Sequence, residues 1–224
     1  MESEQGFWDL LTLDERDVLW SLGYSKRYPP GATICIEGDL ATHLFILVDG
    51  WAKILSVTDN GHETVLALRG AGDIVGEIAG ETAGRRNATA QAIDDVHALI
   101  VSYDRFTSFL DAHPGASHAH RRIVAQRWSR ADMMLRRRMA TSGAQRLAGL
   151  LLDLAGRHGG QDKSAVEIGL QLSQGDLASL AGTSRATVTR AFTNWRKRGL
   201  IRTGPRRITL TDLPGLERLA GPAA

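Results

Sequence analysis

Apolar positions along the chain change their spacing twice, and the changes divide it into three textures. Over residues 12–22, Leu13, Val18, Leu19 and Leu22 recur at helical spacing, which predicts a short amphipathic helix. From about Tyr28 to Tyr103 the apolar runs become short and glycine closes each of them. Runs 33–36, 44–48, 53–57 and 64–68 end at Gly38, Asp49-Gly50, Asn60-Gly61 and Gly70. Asp-Gly and Asn-Gly accept the positive φ of tight hairpin turns, so these pairs predict strand–turn–strand units. Turns about every ten residues describe an antiparallel roll or barrel with no room for a helix of ordinary length.

After Tyr103 the helical period returns. Residues 104–110 read as a short helix closed by His113-Pro114, and 115–139 lack proline and, after Gly115, glycine. Along that long helix Val124, Trp128, Ala131 and Leu135 step 4-3-4. Arg121, Arg122, Arg127, Arg130, Arg136, Arg137 and Arg138 occupy much of the remainder, with Asp132 as the acid. So narrow a stripe on so polar a helix predicts a seam between two copies of the chain, the alternative being a helix packed on its own domain. Thr141-Ser142-Gly143 reads as a hinge, 145–155 as an apolar helix, 158–163 as a loop and 165–168 as a short strand.

The stretch 174–192, QGDLASLAGTSRATVTRAF, carries the most specific signal. Two helices crossing at a tight turn need a small residue in the first, glycine at the turn and an apolar residue inside the second. Ala178, Gly182 and Val188 meet those needs at spacings of four and six, and Ser173 and Ser184 are good N-caps. This predicts a helix-turn-helix whose second helix offers Ser184, Arg185, Thr187, Thr189 and Arg190 at its N-terminal end, where base edges are met. Arginine can reach guanine O6 and N7 with two parallel bonds. The stretch 195–198, Trp-Arg-Lys-Arg, suits phosphate contact, and 200–210 reads as strand, Gly-Pro turn, strand: a wing presenting Arg206 and Arg207 to the backbone.

Charge sharpens this division. The 224-residue chain has a formal net charge of only +2, yet residues 1–113 carry 8 basic and 18 acidic side chains and residues 114–224 carry 19 and 7. An acidic module is thus joined to one suited to polyanions. The longest unbroken apolar run is 44–48, too short to span a bilayer, and MESEQGFWDL lacks the basic start and apolar stretch of a signal peptide, so a cytoplasmic protein without membrane contact is expected. The single cysteine, Cys35, permits no intrachain disulfide and no four-cysteine iron–sulfur cluster.

A roll, a long seam helix and a winged helix-turn-helix in that order resemble the cyclic-AMP receptor protein/fumarate–nitrate regulator family of bacterial transcription factors. The resemblance runs from about Leu10 to Ala220. It rests on Pro-Pro-Gly-Ala-Thr-Ile at 29–34 with Glu37-Gly38-Asp39, Gly-Asp-Ile-Val-Gly-Glu-Ile at 72–78, Arg86-Asn87-Ala88, and Ser-Arg-Ala-Thr-Val-Thr-Arg at 184–190. It implies an α+β chain with an N-terminal antiparallel β-roll of the cyclic-nucleotide-binding kind (1–113), a dimerisation helix (114–140) and a winged helix-turn-helix (141–224). It further implies a homodimer on palindromic double-stranded DNA, with RNA polymerase as a candidate partner and cyclic AMP or another cyclic nucleotide as candidate effector. Glu77 would then accept from a ribose hydroxyl, Arg86 would pair with a cyclic phosphate, and Gly76, the N–H groups around Ile78, and Asn87 would complete the cradle. Asn87 stands where the family pattern has a hydroxyl residue, Ala131-Asp132 roughly where cyclic-AMP receptors have Thr-Ser, Ala186 where Glu precedes Thr-Val, and Arg85 adjoins Arg86. Without an effector, Glu77 and Arg86 would form a salt bridge with each other.

Other classes fit less well. Roll-fold oxygenases and isomerases need converging histidines and a carboxylate. His43, His62 and His97 are scattered, and His118 and His120, two apart on a helix, face different ways, so catalysis is not expected. His97 gives heme only a weak claim. A nucleotide-binding module acting on a protein partner would leave the helix-turn-helix unexplained.

Overall fold

The computed structural model describes residues 5–57, 61, 63–81, 84–158, 165–205 and 207–221. They form two compact units, Gln5–Arg130 and Ala131–Ala224.

The first unit opens with a 3-10 turn, Trp8–Leu10, and helix α1, Leu13–Ser21. Thr12 caps α1 reciprocally: its hydroxyl accepts from Glu15 N, and the Glu15 carboxylate accepts from Thr12 N at 2.8 Å. That bond, more than any other contact, holds the Glu15 carboxyl below the usual range. The expected amphipathic face is not there. Leu19 is buried, but Leu13 is 74% exposed and Trp20 41%, because Leu13 and Leu19 lie about 120° apart at 3.6 residues per turn.

Eight strands follow: β1 (Tyr24–Tyr28), β2 (Thr33–Cys35), β3 (His43–Asp49), β4 (Ala52–Val57), β5 (Glu63–Arg69), β6 (Ile74–Val75), β7 (Thr89–Ala92) and β8 (Val96–Ser102), with the short helix α2 (Glu77–Glu81) between β6 and β7. They form two antiparallel sheets, β1-β8-β3-β6 and β2-β7-β4-β5. β4 and β5 pair from Ala52↔Arg69 to Val57↔Glu63, as the Asn60-Gly61 signal predicts, although residues 58–60 and 62 lie outside the described residues. Asp49-Gly50 does not make a hairpin. Gly50 has φ +82°, but it joins β3 and β4, which belong to different sheets. The reason lies in β3 itself: residues 44–47 are all buried, and β3 pairs with β8 on one side and β6 on the other, so no edge is left for β4.

β3 feeds two cores by its twofold alternation. Leu44 and Ile46 join Phe7, Leu19, Ile74, Leu99, Phe106, Phe109 and Ile123, the layer against α1 and the following helices α3 (Tyr103–Ala112) and α4 (Pro114–Ala140). Phe45 and Leu47 turn into the roll with Tyr28, Ile34, Val75, Ala90, Ala92, Ala98 and Ile100. α4 begins with Pro114 as its first residue, as the His-Pro signal allows.

The second unit holds the last turns of α4, then α5 (Gly143–His158), β9 (Val166–Ile168), α6 (Gln174–Leu180), α7 (Arg185–Lys197), the wing strands β10 (Ile201–Gly204) and β11 (Arg207–Leu210), and α8 (Leu213–Ala220). β10, β11 and β9 form one antiparallel sheet. Leu147, Leu151, Ile168, Leu177, Val188, Phe192, Leu210 and Leu216 are buried. Trp195, read as part of a phosphate-contacting stretch, is only 3% exposed and belongs to this interior, leaving Arg196, Lys197 and Arg198 at the surface. Among the described residues no helix is long and apolar enough to cross a membrane, and none of their His, Cys, Asp and Glu side chains group to hold a metal ion.

Candidate nucleic-acid interface and effector pocket

The helix-turn-helix is built by caps and one special backbone conformation. Ser173 and Asp176 cap α6 reciprocally, at 3.0 and 2.8 Å. Ser184 accepts from Thr187 N at 3.2 Å to start α7. Between the helices Gly182 adopts φ +58°, a left-handed conformation that favours glycine, and a Cβ there would stand 2.5 Å from Arg138 Nε, whose side chain would have to shift. Ala178 and Val188 are buried at the crossing.

Of the residues proposed for DNA, Arg185, Thr189 and Arg190 are exposed on α7 and Thr187 is half-buried. Ser184 is engaged as the cap, its hydroxyl 3.0 Å from that of Thr187, and Arg190 Nη2 lies 3.5 Å from the Thr187 hydroxyl. Thr189 Oγ lies 2.7 Å from Gln174 Oε1 on α6 and 3.0 Å from the Arg185 carbonyl. One hydroxyl proton serves only one of these at a time. Gln174 therefore belongs to the same polar surface, although its sequence position marks it only as an ordinary first-turn residue. Arg207 extends from the wing, 3.8 Å from Glu167 and exposed, a pairing worth little in water. Arg206 lies outside the described residues.

In the roll, burial separates the two adjacent arginines. Arg85 is exposed and donates to the Gly38 carbonyl at 2.7 Å, whereas Arg86 is 4% exposed. Arg86 Nη2 donates to the His43 carbonyl at 2.7 Å, Nη1 lies 3.3 Å from the Tyr103 hydroxyl, and the guanidinium sits over Phe45, 5.2 Å from the ring centre. Gly76, at φ +84°, packs directly on Nη1, where a Cβ would collide, and its carbonyl accepts from the Tyr103 hydroxyl. Burial pushes the Tyr103 and Tyr28 phenols and the Cys35 thiol up, and Arg86 partly offsets each. Burial and then the Arg86 charge push His43 down.

Glu77, also buried, does not pair with Arg86. Its carboxylate accepts from Arg127 Nη1 of α4, and Arg127 Nη2 donates to the Ile74 carbonyl at 2.8 Å and lies 3.4 Å from Asp73. The mutual salt bridge expected for an empty roll is thus replaced by a bridge from the roll to α4, because Arg127 reaches Glu77 and Asp73 together. Arg86 is left with neutral partners: no carboxylate among the described residues lies within ion-pair distance of it. Ile78 is 42% exposed and Asn87 is exposed.

On α4, Val124 is half-buried, while Trp128 is 74% and Leu135 61% exposed, with Ala131 also exposed. Met139, four residues beyond Leu135, is 86% exposed and lengthens the stripe. The spacing signal could have found it.

Residues 25–113 match the cyclic nucleotide-binding domain family and residues 145–219 the Crp-like helix-turn-helix domain family. The CRP-like cAMP-activated global transcriptional regulator of Mycobacterium tuberculosis is 32% identical over 193 residues, 86% of each chain. The cyclic AMP receptor protein of Thermus thermophilus is 29% identical over 210 residues, 94% of each chain. The crystal structure of a CRP-family transcriptional regulator, also from Thermus thermophilus, shares the fold with a TM-score of 0.74 at 26% identity, covering 88% of this chain and 97% of that one. With a roll that matches the cyclic nucleotide-binding domain family, a helix-turn-helix and relatives of this similarity across most of its length, the chain belongs to the cyclic-AMP receptor protein/fumarate–nitrate regulator family and is a DNA-binding transcription regulator, not an enzyme.

Proposed function

We propose that the chain acts as a homodimer on twofold-symmetric DNA and that a small anionic effector, with cyclic AMP as the leading candidate, sets its affinity. The observation that carries the effector reading is the uncompensated guanidinium of Arg86. A buried cation held only by a carbonyl, a hydroxyl and a ring face is costly, and a phosphate would relieve that cost. The N–H groups of Arg86 beyond those given to His43 and Tyr103 can meet two phosphate oxygens. Glu77 would accept from a ribose hydroxyl, at the cost of sharing its carboxylate with Arg127. Because Arg127 is on α4, that competition supplies a route by which ligand in the roll alters the helix. Asn87 offers an amide N–H where a hydroxyl is usual in the family, and Ala131 offers no hydrogen bond to a base, which keeps other cyclic nucleotides as candidates. RNA polymerase remains a proposed partner, as for regulators of this kind.

One observation favours a second reading, a ligand-independent regulator: Glu77 and Arg86 each already have protein partners. Calorimetry with cyclic AMP, cyclic GMP and cyclic di-GMP separates the two, since binding by none of them supports the second.

For DNA, Arg185 is proposed to read guanine and Ala186 to contact a thymine methyl where Glu would accept from cytosine. An operator selected from random duplexes provides the test. Arg185→Ala should weaken it by about 1–3 kcal/mol and relax one base pair per half-site, leaving nonspecific affinity nearly unchanged. Equal loss on random DNA would contradict the assignment.

A further inference from the structure

Arg146, near the start of α5, makes three bonds to backbone carbonyls that no base-reading or effector role explains. Its Nε donates to Ala181 O at 2.9 Å, its Nη2 to Gly182 O at 2.8 Å and its Nη1 to Thr141 O. Ala181 is the C-cap of α6, and Thr141 follows the last residue of α4. One planar fork thus joins the carboxyl ends of two helices, where peptide dipoles favour positive charge. Two close approaches tighten the joint. The Arg138 guanidinium lies against Gly182, and Gly143 packs on the Thr183 side chain so closely that a Cβ would collide with it. Thr183 N in turn donates to Ala178 O at 2.8 Å, and Ser184, the α7 cap, is the next residue. The last turn of α4 is therefore tied to the turn from which the recognition helix starts.

We propose that Arg146 is a positioning residue that fixes α7 to the end of α4, so that the separation of the two recognition helices in a dimer follows α4. This rests on the dimeric reading above. A dimer must place its recognition helices about one DNA turn, ~34 Å, apart, and a loose joint would admit other separations. The distinguishing readout is tolerance of half-site spacing, which a general loss of fold does not mimic.

The test uses the full chain, a selected operator, variants of it with the spacer changed by one or two base pairs, and a duplex with one half-site. Wild type should prefer the selected spacing by about tenfold or more. Arg146→Ala should bind the single half-site within about twofold of wild type while its spacing preference falls below about threefold. Arg146→Lys, which keeps the charge without the fork, should lie between. Retention of wild-type spacing preference by Arg146→Ala overturns the proposal, as does collapse of its half-site binding, which would make the residue a requirement of the fold. Absence of any spacing preference in wild type overturns the dimeric reading and this proposal with it.

Discussion

Introducing glutamate at both Trp128 and Leu135 should convert the protein to a monomer and lower its affinity for a twofold operator by about 100- to 10,000-fold, the range set by losing the second binding event from one complex. The expectation follows from exposure. Trp128 and Leu135 are 74% and 61% exposed, and Met139 is 86% exposed, on a helix otherwise dominated by arginine. On the proposed dimeric reading, a large aromatic and two long apolar side chains in one line on a charged helix are the surface that a second copy would cover. Neither residue belongs to a described core, so each chain should still fold, with melting lowered only by the lost association. Sedimentation velocity reads the mass and titration of an operator reads the affinity. An unchanged dimer would move the interface elsewhere.

Replacing Arg86 should have the second large effect. Arg86→Met keeps a similar volume and removes a buried charge that has no carboxylate partner among the described residues, so stability should hold or rise. The Tyr103 hydroxyl keeps its acceptor, the Gly76 carbonyl. Binding of cyclic AMP should instead fall by about 100-fold or more, since two charge-assisted bonds at about 1.5–3 kcal/mol each are lost. Arg86→Lys should recover only part, because an ammonium cannot reproduce the two-pronged geometry. Calorimetry with each variant checks this. Wild-type affinity in Arg86→Met would place any effector elsewhere.

What the sequence disclosed and withheld has physical causes. The helix-turn-helix was legible because its constraints are local: Ala178, Gly182, Val188 and the two serine caps act within a few residues of one another. The strands of the roll were legible as runs and turns, but their partners were not. Asp49-Gly50 has the turn chemistry of a hairpin, yet β3 is buried between β8 and β6, a fact of tertiary pairing that no dipeptide carries. The amphipathic face expected of α1 fails because its apolar residues Leu13, Val18, Leu19 and Trp20 are scattered round a short helix. In the roll, motif spacing singled out Glu77 and Arg86, which are two of the three buried polar or charged side chains among the described residues. Their partners were hidden by chain distance: Arg127 lies 50 residues from Glu77, and the His43 carbonyl 43 from Arg86. Gln174 and Arg146 were missed for a related reason, since each acts through a neighbour brought close only by the crossing of α6 with other elements.

The proposed function rests on a coupling: ligand at Arg86 would compete for Glu77, Arg127 would carry the change to α4, and α4 would set the recognition helices. A ligand can shift such an equilibrium only by binding one state better than the other. The most direct measurement is the affinity of the wild-type protein for its selected operator, by fluorescence anisotropy at one fixed salt concentration, without nucleotide and with saturating cyclic AMP. The coupling predicts affinities differing by about tenfold or more, about 1.4 kcal/mol, with the difference abolished in Arg86→Met. Equal operator affinity in the two conditions, with cyclic AMP shown by calorimetry to be bound, would contradict it.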